Sequence, residues 1–86
     1  MKLKEGFVLR TVAGENVVIP SGDNLNLNMM LTLNDTGKFL WEQLAEEKTE
    51  EELLEAVLAE YDITAETAAP YIAEFVAKLD EYGCLA

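Results

Sequence analysis

The sequence predicts an α+β fold in which a small antiparallel sheet is followed by three helices. Over residues 7–33, apolar side chains recur at every second position between turn-forming residues, a pattern typical of half-buried strands. From residue 35 onward they recur at intervals of three and four, which is typical of amphipathic helices. The chain has 86 residues, 50% of them hydrophobic, which suits a single domain over residues 1–86.

The first two predicted strands form a hairpin. Residues 7–12 make the first strand, and Gly14 can take the positive φ that a turn requires. Residues 16–20 make the second, where β-branched side chains favour extended backbone and Pro20 ends the strand.

A third strand is expected at residues 26–33, because the polarity of this segment alternates. The apolar face carries Leu25, Leu27, Met29, Leu31 and Leu33. The other face carries Asn26, Asn28, Met30 and Thr32. Such a strand packs one face on a core, and its other face is exposed to solvent.

Three helices are expected, at residues 35–46, 50–60 and 65–82. The short link between the second and third gives the arrangement of a helix-turn-helix pair. A small sheet with such a pair predicts a winged helix-turn-helix-like domain.

Capping residues fix where these helices begin. Asn34 is a good N-cap for the first helix, and Thr49 with Glu52 matches the capping box of the second. Thr64 can cap the third. Pro70 lies inside the third apolar pattern, so this helix either bends there or begins there with Pro in its first turn.

The charge of the chain is unevenly distributed. Its net charge of −11 falls in residues 42–86, which hold thirteen acidic and two basic side chains. This half of the chain would repel a phosphate backbone. We therefore expect no nucleic-acid partner, and a DNA-binding winged helix is the less favoured interpretation.

Side chains typical of catalysis are scarce. The chain has no histidine, and Cys84 is its single cysteine, so it lacks the commonest general base and any internal disulfide. Zinc-ligand spacings and a Gly-rich phosphate loop are also missing from the sequence. We expect a protein that is not an enzyme, binds no cofactor or metal, has no membrane span and resides in the cytoplasm.

A set of motifs in fixed order resembles one known family. The stretch "LNDTGKFLWEQL" at residues 33–44 carries Leu-Asn-x-Thr-Gly followed by a helix with an apolar-Trp pair. Around it lie "VAGENVVIP", "TEEELLEAVLAEYDI" and "FVAKLDEYGCL". This order is similar to that of the coenzyme PQQ synthesis protein D family, whose domains are also known as RiPP recognition elements. RiPP denotes a ribosomally made, post-translationally modified peptide.

The resemblance implies a domain that binds the leader of a precursor peptide and presents it to a modifying enzyme, often a radical S-adenosylmethionine enzyme. It also implies that the leader adds as a strand beside the third strand, against the third helix. A free strand edge suits this role. The expected peptide-binding residues are Leu27, Asn28, Met29, Met30, Leu31, Thr32, Tyr71, Phe75, Lys78 and Tyr82.

Structural interpretations stay open for several of these residues. Met29 and Met30 can be core fillers, although Met30 is out of phase with the apolar face. Lys78 can pair with Glu74 or Glu81 instead of a leader carboxylate. A different function, an adaptor that joins larger proteins or a second copy through a sheet edge, also fits, so the expected state is a monomer or a weak homodimer.

Overall fold

The computed structural model of the protein describes residues 1–20 and 31–86. Within these residues, three strands precede three helices: β1 (Phe7–Val12), β2 (Glu15–Pro20), β3 (Leu31–Leu33), α1 (Asp35–Gln43), α2 (Glu50–Glu60) and α3 (Ala65–Glu81). The strands form one antiparallel sheet in the order β1-β2-β3. The predicted fold class, an antiparallel sheet followed by three helices, is confirmed.

A two-residue turn joins β1 to β2. Ala13 and Gly14 both have positive φ, 51° and 82°, as the central residues of a type I′ hairpin turn require. This turn matches the right-handed twist of the strands on either side. It pairs Val12 with Glu15, so β2 begins one residue earlier than the sequence pattern suggests.

The strand β3 lies at one edge of the described sheet and pairs with β2. Thr32 is opposite Val17, and the side chains alternate as predicted: Leu31 and Leu33 are buried and Thr32 is exposed. Of the strand expected at residues 26–33, residues 26–30 lie outside the described part of the chain.

A buried asparagine ties the hairpin to the end of β3. The Nδ2 of Asn16 donates to the Leu33 carbonyl oxygen at 3.3 Å, and its Oδ1 accepts from the Thr11 hydroxyl at 3.1 Å. A buried amide without such partners would be destabilising by about 1–3 kcal/mol. These bonds therefore help to hold the last residue of β3 in place before α1 begins.

The core lies between the sheet and the helices. Its buried side chains come from two strands, the three helices and the C-terminal segment: Val18, Leu31, Leu33, Leu40, Trp41, Leu44, Leu53, Val57, Ala68, Ile72, Phe75, Leu79 and Cys84. Burial of each large aliphatic or aromatic side chain stabilises the fold by roughly 1.5–3 kcal/mol. Trp41, the single tryptophan of the chain, lies in this core.

The first helix is shorter than expected, because its last turn tightens. α1 ends at Gln43, whereas the apolar pattern suggests residue 46. The Ala45 and Glu46 amides donate to carbonyl oxygens three residues earlier, at 3.3 and 3.4 Å. Such bonds belong to 3₁₀-type turns, which commonly end a helix.

The third helix begins before its proline. Thr64 caps α3 by accepting from the Thr67 amide, and Ala65 is the first helical residue. Pro70 thus lies inside the helix, and the alternative that α3 begins at Pro70 is wrong. Because Pro70 has no N–H, it cannot donate to the Glu66 carbonyl.

The capping box of α2 forms as predicted. The Thr49 amide donates to Glu52 Oε1 at 3.0 Å, and the Glu52 amide donates to Thr49 Oγ1 at 3.1 Å. The hydrogen bond from the Thr49 backbone lowers the pKa of the Glu52 carboxyl. The charged carboxylate therefore stabilises the start of α2.

We expect this interaction to be lost in acid. Because folding lowers the pKa of Glu52, its contribution is present above the unfolded pKa and disappears as the pH falls through the folded value. In Glu52→Gln, an uncharged acceptor replaces the carboxylate, so the melting temperature should fall less than in wild type between about pH 5 and pH 3. Glu55→Gln, on the same helix, controls for the loss of one negative charge, and equal pH profiles for both variants would contradict the assignment.

Candidate functional site

A groove of about 240 Å³ lies between β3, the start of α1, and α3. Its lining comes from these three elements: Thr32, Leu33, Asn34, Gly37, Tyr71, Glu74, Phe75 and Lys78. The four residues from α3 are at positions 71, 74, 75 and 78, a helical spacing, so they share one face of the helix. Strand and helix thus form the two walls of the groove.

Gly37 lets the end of the strand and the start of the helix approach closely. Its amide donates to Asn34 Oδ1 at 2.8 Å, which is the N-cap bond predicted for α1. A Cβ at position 37 would lie 3.2 Å from Asn34 Oδ1 and 3.2 Å from Leu33 Cβ, tighter than ordinary contact. Glycine therefore leaves room for the cap where Asn34 lines the groove.

A hydrogen bond joins the two walls at one end of the groove. The Tyr71 hydroxyl donates to Asn34 Oδ1 at 2.9 Å, across 37 positions of sequence. The same oxygen accepts the Gly37 amide. Asn34 thus caps α1 and also contacts α3, a second role that its position in the sequence does not reveal.

The helical wall carries one charge of each sign. Glu74 and Lys78 are exposed and lie one helical turn apart. No carboxylate in residues 1–20 or 31–86 lies within 4.0 Å of the Lys78 ammonium. The pairing of Lys78 with Glu74 or Glu81 is therefore not formed, and both charges face the groove and solvent.

The structure brings four of the expected peptide-binding residues together. Thr32, Tyr71, Phe75 and Lys78 all line the groove. Phe75 is only 8% exposed, so it forms part of the core as well as part of the helical wall.

The other expected residues fall into two groups. The Leu31 side chain lies in the core because strand alternation points it inward, and Tyr82 is the C-cap of α3, outside the groove lining. Neither side chain contributes to the groove surface. The remaining four lie outside the described residues: Leu27, Asn28, Met29 and Met30.

Four lining residues are not in the expected set: Leu33, Asn34, Gly37 and Glu74. Helical spacing alone could have found Glu74, which is three residues after Tyr71 and four before Lys78. Asn34 is the N-cap of α1, as predicted, but that local role does not reveal its place in the groove. Gly37 lines the groove because it lies against Asn34 and Leu33 in the tertiary fold.

Two features of the described residues bear on chemistry other than binding: possible metal ligands and the thiol of Cys84. Within residues 1–20 and 31–86, no three His, Cys, Asp or Glu side chains are grouped as a metal site. Burial raises the pKa of the Cys84 thiol, which disfavours the reactive thiolate. No helix of the described chain is long and apolar enough to cross a membrane.

Paired chain ends surround Cys84. Leu3 and Leu85 form an antiparallel bridge, and the Lys4 amide donates to the Cys84 carbonyl at 2.7 Å. We expect a thiol reagent such as dithionitrobenzoate to label Cys84 much more slowly in the folded protein than in urea-unfolded protein. Equal rates in the two states would contradict the burial of this thiol.

The geometry and the motif order agree with a family assignment. The chain matches the family model for coenzyme PQQ synthesis protein D (PqqD) over residues 15–85. The chain belongs to the PqqD family. The match includes β2, β3 and all three helices, and therefore every residue that lines the groove.

Two solved structures share the fold. TbiB1, in complex with the TbiA(beta) leader peptide, is similar with a TM-score of 0.77 and 26% identity, covering 99% of this chain and 94% of that chain. Lasso peptide synthetase B1, complexed with the leader peptide, is similar with a TM-score of 0.73 and 20% identity, covering 96% and 93%. No curated protein matches the chain.

Proposed function

We propose that this PqqD-family protein binds the leader of a ribosomally made precursor peptide. The leader adds as an extended strand at the edge of β3 that no other described strand pairs with, and it places side chains in the groove between β3 and α3. The protein performs no chemistry itself and presents the peptide to a modifying enzyme. The groove beside a sheet-edge strand is the observation that carries this proposal.

The sheet edge supplies a source of affinity. β3 pairs with β2 on one side and is last in the strand order of the described sheet. An edge strand offers main-chain N–H and C=O groups with which an extended peptide can pair. Such pairing makes few demands on peptide sequence, so specificity depends on the side chains that enter the groove.

The groove lining indicates which peptide side chains fit. Tyr71 and Phe75 supply aromatic surface, which favours an apolar anchor residue. Lys78 can meet a peptide carboxylate and Glu74 a basic group, one helical turn apart. The preferred ligand is therefore an extended segment with an apolar anchor flanked by charged residues.

The solved relatives support a peptide ligand. TbiB1 was solved with a leader peptide, and its alignment covers 99% of this chain, so it includes the elements that form the groove. Lasso peptide synthetase B1 supports the same architecture. The family assignment and the edge position of β3 in the described sheet agree with this class of ligand.

We assign the chemistry to a partner, a radical S-adenosylmethionine enzyme or another maturase. Holding the leader beside the enzyme raises the effective concentration of the rest of the precursor, up to about the mM range for short linkers. The partner's docking surface is expected to be basic, because residues 42–86 hold thirteen acidic side chains.

Isothermal titration calorimetry tests the proposal. The titrant is a synthetic leader from the precursor reading frame beside the gene, and a scrambled version of the same peptide is the control. We expect binding of the leader in the micromolar range or tighter, and at least tenfold weaker binding of the scrambled peptide, a difference of about 1.4 kcal/mol. Equal heats from both peptides with folded protein would contradict the proposal.

Sedimentation of the free protein at increasing concentration separates this function from that of an adaptor. A monomer that binds the leader supports the proposal. A tight self-associated form without peptide affinity would instead indicate that the sheet edge joins two copies.

A further inference from the structure

Tyr71 lies between two cavities. One is the groove beside β3, and the other, of about 290 Å³, lies where the three helices meet. The second cavity is lined by Thr36, Val57, Ile63, Thr67, Ala68 and Tyr71. The half-buried tyrosine is common to both linings, so its position affects the shape of the groove.

The two walls of the groove contribute side chains to the same core, but their backbones lie closest to other elements. α3 packs chiefly against α2, whereas β3 packs against β2 and α1. Among residues 1–20 and 31–86, the hydrogen bond from Tyr71 to Asn34 is the one that links α3 to the β3–α1 junction. It lies at the end of the groove, where Asn34 follows the last residue of β3.

We propose that Tyr71 is a positioning residue whose hydroxyl presets the width of the groove. By donating to Asn34 Oδ1, it holds α3 at a fixed separation from the strand edge before any peptide arrives. This inference rests on the proposed function. It assigns to Tyr71 a role through Asn34, in addition to any contact that its ring makes with the peptide.

Preorganisation explains why this bond matters more for binding than for stability. The bond lies at an exposed site, where water competes for both partners, so its net effect on folding is small. A groove held at the right width does not have to be ordered when the peptide binds. Loss of the bond should therefore weaken affinity while changing the melting temperature little.

Two variants remove the bond from opposite sides. Tyr71→Phe keeps the aromatic ring and loses the donor. Asn34→Ser keeps an N-cap acceptor for the Gly37 amide, but its shorter side chain does not reach Tyr71. We expect each to weaken leader affinity about three- to tenfold by calorimetry, with the double variant no weaker than either single one.

Tyr61→Phe is the matched control. Tyr61 is also half-buried, but its ring packs edge-on against Phe39, with ring centroids 5.6 Å apart, away from the groove. Loss of the Tyr61 hydroxyl should leave the affinity for the leader unchanged. Unchanged affinity in Tyr71→Phe, or fully additive losses in the double variant, would overturn the positioning role.

Amide NMR spectra of the free variants separate this inference from the proposed function. A positioning bond predicts that Tyr71→Phe and Asn34→Ser shift amides on both walls, residues 32–37 and 71–78. Shifts confined to the helix in Tyr71→Phe would overturn the inference, whatever the peptide does. Failure of wild-type protein to bind the leader, with shifts on both walls, would count against the proposed function alone.

Discussion

Replacing Thr32 with tryptophan is expected to weaken leader binding strongly while the protein stays folded. Thr32 is exposed, lies on the edge strand β3 and lines the groove. A tryptophan there would occupy the space that a peptide side chain needs, and it would not disturb the core because the neighbours of Thr32 point the other way. We expect at least a thirtyfold loss of affinity by calorimetry, about 2 kcal/mol.

The control for this variant is Val12→Trp. Val12 lies on β1, at the opposite edge of the sheet, and is 55% exposed. Both substitutions place tryptophan at an exposed strand position, and tryptophan is common in strands. Both variant proteins should therefore melt within a few degrees of wild type. Wild-type affinity in Thr32→Trp would place the peptide elsewhere, and equal losses in both variants would indicate a non-specific effect.

Replacing Leu53 with alanine is expected to lower the stability of the fold strongly. Leu53 is 0% exposed at the interface of α2 with the core, so its removal leaves a cavity. Such substitutions lower the free energy of unfolding by about 2–5 kcal/mol. For a domain of this size, with a total of roughly 4–13 kcal/mol, that loss brings the protein near its unfolding threshold.

Urea unfolding followed by circular dichroism measures this loss. Leu58→Ala, on the same helix, is the control, because Leu58 is 37% exposed and makes less contact with the core. Both variants replace leucine with alanine inside the same helix, so their change in helix propensity is the same. Similar unfolding midpoints for both would contradict the packing of α2 described above.

The order of the elements could be predicted because its signals are local. Asn34, Thr49 and Thr64 each precede a helix and cap it through bonds that span three residues. The alternation of Leu31, Thr32 and Leu33 likewise decides which side chains of β3 are buried. Such features depend on neighbours in the sequence, so spacing and residue type identify them.

The candidate site was less predictable because it depends on contacts between distant residues. The bond from Tyr71 to Asn34 joins residues 37 positions apart, and no local pattern indicates it. Tyr82 continues the helical stripe of Tyr71 and Phe75 in the sequence, but α3 ends at Glu81, just before it. Residue spacing shows which side chains share one face of a helix. How many of them line the groove depends on where the helix ends and how it packs in the tertiary fold.

The resemblance to a known family favours one of two functions that composition and charge do not separate. Composition and charge argue against DNA and against catalysis, but they do not distinguish a peptide-binding domain from an adaptor that uses the same sheet edge. Motif order favoured the PqqD family, and the family match over residues 15–85 confirmed it. For the proposed modifying enzyme, the acidic charge of residues 42–86 is the feature of the sequence that favours a basic docking surface.

An amide NMR titration of isotope-labelled protein with the synthetic leader tests the central claim most directly. Strand addition predicts shifts concentrated on residues 31–34 and 71–78, the two walls of the groove, with the scrambled leader giving none. It also predicts that the amides of β3 become protected from hydrogen exchange in the complex. A leader that binds but shifts residues elsewhere, such as the outer face of α2, would contradict capture at this groove.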